Sequence, residues 1–335
     1  MFDAPSMTGI ALVFAVTFVI TFVATPTLGK IMKRRGITGK DVHKLSKPEV
    51  PEMCGLAILL GLIVGVAITV FFFPESANVT IAFIGTVLIA GAIGFADDLR
   101  PLGARIKPLL TAAACVPILL LQTYDPMPVI PLLGPVRLTV VYPLLIPVAV
   151  AVTSNGVNMM DVMNGAMPGT VSVICAATTA VLLLSGKTQV AAISVGLLAA
   201  MLAFYYFNRF PAKVFSGDTG SLAVGAALGA IAILGRLETV MIVALIPHIM
   251  NAFYGLASVG RLYERREIRQ RPTRLLADGS LESSTDKTAP ITLTRLILAA
   301  GPLGEKEIVR GMIFLTSVSS LLAILTYWIT VVGRI

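Results

Sequence analysis

Residues 154–169 read SNGVNMMDVMNGAMPG and carry Asn155, Asn158, Asp161 and Asn164 at intervals of three. Three residues is roughly one helical turn, so a helical continuation would put these side chains on one face. Polar groups at the end of an apolar segment are costly unless satisfied, which makes them candidates for a functional site. A polar loop rich in Asn and Gly is the plain alternative. Two further acidic segments weigh against it. GFADDLR holds the adjacent pair Asp97 and Asp98, and VFSGDTGSL holds Asp218. Adjacent carboxylates repel and usually need a cation or a proton. Carboxylate and amide oxygens without His or Cys suit a hard ion, Mg2+ or else Mn2+. Asp97 and Asp98 could instead cap a helix or pair with Arg100, Arg105 or Lys107. GDTGSL (217–222) opens an apolar run, where glycines allow close backbone approach and a helix start favours anions. No P-loop pattern GxxxxGK[ST] exists in the chain. Phe215 could stack on a base or serve as an interfacial anchor.

The elements that must position these residues are apolar. The chain has 335 residues, 56% hydrophobic and 13% charged, about half the charge of a soluble domain. Ten candidate spans follow: 7–28, 55–73, 79–96, 108–121, 139–154, 170–185, 189–207, 219–235, 239–258 and 311–332. The expected fold is an all-α polytopic membrane protein, one integral domain over 1–335. Of 26 Lys and Arg, 22 fall in loops 29–54, 97–107, 155–169, 208–218 and 259–310. The positive-inside rule makes those loops cytoplasmic and both termini extracytoplasmic. Asp97, Asp98, Asp161 and Asp218 then meet at one membrane face. The net charge of +8 needs no nucleic acid, since it sits against anionic lipid or an anionic substrate. Cys54, Cys115 and Cys175 show no metal or disulfide spacing and read as small apolar residues. Two histidines are too few for a His-based metal site.

Two loops carry further charge. HKLSKPEVPEMCGL (43–56) is made rigid and extended by two prolines, with Lys44, Lys47, Glu49 and Glu52 along it. It reads as a binding wall or as a topological anchor. The last loop begins GRLYERREIRQRPTR; Arg261, Arg265 and Arg269 would form a basic stripe if helical, suited to lipid headgroups. Arg271 and Arg274 lie in the less regular RPTR turn and are better ligand candidates, because arginine offers bidentate phosphate geometry.

The order KPEVPE-x-x-G, DD, N-x-x-N-x-x-D-x-x-NG and PA-x-VF-x-GDTGS resembles the polyprenyl-phosphate N-acetylhexosamine-1-phosphate transferases over nearly the whole chain. The resemblance implies transfer of a sugar 1-phosphate from a UDP-sugar to dolichyl or another polyprenyl phosphate, releasing UMP. It implies Mg2+ on Asp218 and Asn158, uridine contacts from Asn164 and Phe215, and Lys107 near acceptor and diphosphate. Asp97 and Asp98 match the acidic pair of which one has been proposed to activate the acceptor, and Asp161 matches an Asp of bacterial members. Diphosphate and sugar contacts would fall to Arg274, Arg271, Lys47 and Glu52. Bacterial members have a His-rich motif where this chain reads RPTRLLADGSLE, and a Gly where Val162 stands. These departures favour an archaeal or eukaryotic type, starting lipid-linked oligosaccharide for N-glycosylation with GlcNAc. The same chemistry on another UDP-sugar, for a wall or surface polymer, is the alternative. Family members are often homodimers.

The physics suits this reading. Phosphoryl transfer needs charge neutralisation and in-line positioning more than covalent help. The expected location is the cell membrane, with the site on the cytoplasmic face. A secondary transporter is the rival from another class, but its acids belong near the midplane within inverted repeats, and neither feature is visible.

Overall fold

The computed structural model describes residues 4–332 apart from 264–267 and 269. Arg265 and Arg269, two members of the expected basic stripe, lie outside the described residues. Each candidate span is helical over most of its length. Among the described residues, seven helices are long and apolar enough to cross a bilayer: α1 (Ala4–Arg34), α4 (Ala77–Leu99), α7 (Val141–Met160), α8 (Ala166–Leu184), α9 (Thr188–Asn208), α10 (Gly217–Leu234) and α14 (Glu305–Val332). An eighth span is the pair α11 (Glu238–Ala244) and α12 (Ile246–Val259), bent by 66° at Leu245–Ile246, with Pro247 opening the second helix. The other two stretches are shorter. Leu56–Phe72 holds α2 (Leu56–Ala67) and α3 (Thr69–Phe72); Ile106–Leu120 holds α5 (Ile106–Ala113) and α6 (Val116–Leu120). At 1.5 Å per residue they reach about 25 and 22 Å, below the ~30 Å of hydrocarbon a span must cross. Helix length alone therefore supports seven or eight crossings where ten were expected.

The bundle closes around α10, whose residues are 83% buried. Two thirds of its sequence GDTGSLAVGAALGAIAIL are small side chains, Gly, Ala, Ser, Thr or Asp, which let backbones approach where lipid supplies no hydrophobic drive between helices. A methyl group on Gly94 of α4 would land 2.3 Å from the Asp218 carbonyl oxygen. One on Gly55, just before α2, would land 2.3 Å from Gly220, and one on Gly225 would land 2.4 Å from Thr153 of α7. The same device joins α1 to α2, where Thr17 and Thr21 fill the space over Gly65 and Gly61.

Among the described residues, the short helix α13 (Leu293–Ile297) and three two-stranded hairpins complete the fold. β1 (Thr38–Lys40) pairs with β2 (Glu49–Pro51), β3 (Val129–Ile130) with β4 (Gly134–Pro135), and β5 (Thr273–Leu275) with β6 (Leu281–Ser283), all antiparallel. The three cysteines are free and buried. His248 is buried within the bundle against Thr170, 3.1 Å away.

Candidate active site

The carboxylates expected in loops sit on the last or first turns of helices. Asp97 and Asp98 end α4, Asp218 opens α10, and Asn155 and Asn158 belong to α7. α7 stops at Asp161, so the expected single face of four residues breaks in two. Gly165, with φ +87°, then turns the chain into α8.

The first half of the set converges on Asp218. Asn158 donates from Nδ2 to Asp218 Oδ1 at 2.8 Å and to Ser221 Oγ at 2.8 Å. Lys107 of α5 bridges two carboxylates, binding Asp97 Oδ2 at 2.9 Å and Asp218 Oδ2. Asp97 Oδ1 accepts the Leu102 N–H at 2.5 Å, which ties the 100–105 turn to α4. Asp98 does something different. It accepts the backbone N–H groups of Asp218 and Thr219 at 2.8 and 2.9 Å, and the Thr219 hydroxyl at 2.6 Å. Ser216 precedes α10 but makes no side-chain cap. Asp98 therefore supplies, from a neighbouring helix, the acceptor that the first N–H groups of α10 require, with its charge at the positive end of the α10 dipole. The Ser216 hydroxyl donates instead to Asp161. Asn155 is turned to Thr111 of α5, 2.8 Å away.

The second half faces elsewhere. Asn164 donates its amide to Asp41 Oδ2 at 2.9 Å and its backbone N–H to Glu305 Oε1 at 2.8 Å. Lys44 joins both acids, 2.7 Å from each. In this group, from residues 41, 44, 164 and 305, Asp41 and Glu305 belong to no sequence motif, and nothing in the sequence joins the four. Burial alone would raise the Asp41 carboxyl, but the Lys44 ammonium and the Asn164 amide outweigh it and hold it below the usual carboxylate range.

The remaining candidates divide. The Phe215 backbone is pinned to the first loop, donating to the Pro51 carbonyl at 2.8 Å and accepting from Cys54 at 3.0 Å; its ring is half-buried. The Glu52 carboxylate lies against Gly39, and Lys47 is exposed in the β1–β2 turn. Arg271 is exposed, and exposed Arg274 pairs with Glu282 across the β5–β6 hairpin at 2.6 Å. Among the described residues neither arginine touches Asp218, Lys107 or Asn158.

The contacts also sort the loops. Asp41–Asn164, Pro51–Phe215, Lys44–Glu305 and Lys107–Asp218 join all five basic loops at one end of the bundle. Gln189–Ser76, Lys187–Gly235 and Arg236–Asp125 join the others at a second end.

The pattern of glycosyl transferase family 4 matches residues 79–236, which contain Asp97, Lys107, Asn158 and Asp218. A Saccharolobus solfataricus protein is 30% identical over 269 residues, 76% of this chain and 84% of its own. The chain belongs to glycosyl transferase family 4. A Sulfolobus acidocaldarius protein is 30% identical over 73% of this family 4 chain and 77% of its own. Both relatives are provisionally named as UDP-N-acetylglucosamine–dolichyl-phosphate N-acetylglucosaminephosphotransferases. An Anoxybacillus flavithermus phospho-N-acetylmuramoyl-pentapeptide-transferase is 32% identical over 69% of the chain and 76% of its own.

No group of three or more His, Cys, Asp or Glu arranged to hold a metal ion occurs among the described residues of this family 4 protein. The donors at Asp218 nonetheless fit a hard cation. Asp97 and Asp218 both face one ammonium, Lys107, so the centre has more negative than positive charge. Mg2+ accepts one or two carboxylates, with phosphate and water completing its shell.

Proposed function

We propose that this protein transfers N-acetylglucosamine 1-phosphate from its UDP-sugar to dolichyl or a related polyprenyl phosphate, the first step of a lipid-linked oligosaccharide. The observation that carries the reading is the Asp218 centre, assembled from the ends of four helices around one bridging lysine. The names of the two archaeal relatives support the sugar and the acceptor.

A phosphate oxygen of the acceptor attacks the sugar-bearing β-phosphorus. The bond from that phosphorus to the bridging oxygen breaks, and UMP leaves with the electron pair. Asp218 and Asn158 would hold Mg2+, which would supply charge neutralisation at the diphosphate. Lys107 offers its ammonium to the same oxygens and is oriented by Asp97. Asp98 fixes the first turn of α10, and so the position of Asp218. Asn164 and Phe215 contact the uridine, while Arg271, Arg274, Lys47 and Glu52 form the outer wall toward diphosphate and sugar. An acceptor phosphate largely ionised at neutral pH needs little help from a base, so Asp97 serves to hold Lys107. The basic loops face the cytoplasm of the cell membrane, and both termini lie on the other side.

The test is transfer of label from tritiated UDP-GlcNAc to dolichyl phosphate in detergent, with and without Mg2+. Mg2+-dependent lipid-linked label with UMP release, lost in Asp218→Asn, is the expected result. The Anoxybacillus relative favours a second reading, the same chemistry on UDP-MurNAc-pentapeptide. UMP release from that donor alone would replace the sugar and keep the chemistry. No reaction with any UDP-sugar would remove the assignment.

A further inference from the structure

A second concave site lies outside the Asp218 centre. The C-terminal end of α9 and the start of α14 enclose a cavity of about 500 Å3. Arg209 and Lys213 follow α9; Lys306 and Arg310 stand one turn apart on α14. Among the described residues none of these four cations pairs with an acid. Three of them rest on aromatic faces instead: Lys306 lies 5.0 Å from the Phe210 ring, and Arg209 and Lys213 lie 5.3 and 5.7 Å from the Tyr206 ring. Such stacking orients a cation without cancelling its charge. Four like charges around one cleft repel, and an anion relieves them.

We propose that this cleft binds the phosphate headgroup of an anionic phospholipid. The walls decide between a lipid and a soluble phosphate. Below the cations the lining turns apolar at Val309 and Ile313. Tyr206 and Phe314 are 47% and 67% exposed on the same two helices. A headgroup at the mouth with an acyl chain along this surface uses both parts, whereas a soluble anion uses only the first. Basic pockets between spanning helices are suited to anionic headgroups. Asn164 lines the inner edge of the cleft, but its amide is taken by Asp41, and the Asp41–Lys44–Glu305 group stands there.

The experiment is native mass spectrometry of the full chain in uncharged detergent, titrated with phosphatidylglycerol and with phosphatidylcholine. Wild type is expected to hold one phosphatidylglycerol at least tenfold more tightly than phosphatidylcholine. Arg209→Gln with Arg310→Gln is expected to weaken that binding at least fivefold, and Lys213→Gln with Lys306→Gln likewise. All four side chains are exposed, so the fold tolerates these changes. Asp218→Asn is expected to leave the binding unchanged. Equal binding of the two lipids, or binding unaltered in both double variants, overturns the proposal. Displacement by an equal concentration of inorganic phosphate also overturns it, since the cleft would then read a soluble anion. Displacement by UDP or by an equal amount of dolichyl phosphate would make the cleft part of the transfer site instead.

Discussion

Lys107 is buried between two carboxylates, and removing one partner of such a group leaves uncompensated charge. Lys107→Met is expected to reduce transfer at least 100-fold, of the order seen when a transition-state donor is lost, and to destabilise by about 3–5 kcal/mol. Paired assays of rate and thermal melting separate the two effects. Asp98 offers a sharper distinction. As the cap of α10 it tolerates Asn, a good capping residue, so Asp98→Asn should keep transfer within about tenfold of wild type with an unchanged pH profile. Loss of transfer accompanied by a shifted pH profile would instead make Asp98 the base. Asp41 gives a pH dependence. Its folded carboxyl lies below its unfolded value, near 3.9, so its stabilisation is present above that value and is lost as pH falls through the lower folded one. Melting temperature in detergent should therefore drop below about pH 4, and Asp41→Asn should flatten that drop. The residues around Asp218 were legible because each lies in a short polar motif at the edge of an apolar run. Asp41, Lys44 and Glu305 were not read as a site, because their contacts join positions 123 and 261 residues apart and neither Asp41 nor Glu305 has a local pattern.

At the scale of helices, α10 is positioned by glycine contacts. Gly94→Ala would push the new methyl into the Asp218 carbonyl, and overpacking of this kind costs about 1–3 kcal/mol. Because the clash falls on the catalytic turn, transfer should fall further than stability does. Gly103→Ala, with nothing within 4 Å of the added carbon, serves as the control and should match wild type in both assays. Helix existence was readable from apolar runs alone, since each run had to satisfy its own backbone in lipid. Helix ends were not. α4, α7 and α10 extend beyond their apolar cores because the polar residues at their ends find partners on neighbouring helices. Runs of hydropathy carry no sign of those partners, nor of the bend at Leu245–Ile246.

For the molecule as a whole, contacts at the site bear on how many times the chain crosses. Gly55 before α2 and Gly94 near the end of α4 both meet the first turn of α10. The segment 56–72 and α4 therefore run out and back. Lys107 at the start of α5 and Asn158 near the end of α7 both meet Asp218, so 106–120 and α7 do the same. We propose that these two short segments, each of two helices, make the remaining crossings, ten in all. Single cysteines test this. The native thiols give a quiet background, being buried, with Cys54 pushed up to about 12 by burial and by Glu52. A membrane-impermeant maleimide should label Ser46→Cys from the cytoplasmic side only, and Glu75→Cys and Leu132→Cys from the opposite side only. Labelling of Glu75→Cys from the cytoplasmic side would rule out a crossing at 56–72. One feature of α5 bears on the acceptor. Lys107 and Thr111 turn inward, while Ile106, Leu109 and Leu110 stand exposed, Leu109 at 73%. A lipid whose phosphate reaches Lys107 would trail its tail along that flank, which has no far wall to measure against. Long and short acceptors should then serve equally, and the isoprenoid found on the product would report what the cell makes and not what the enzyme selects.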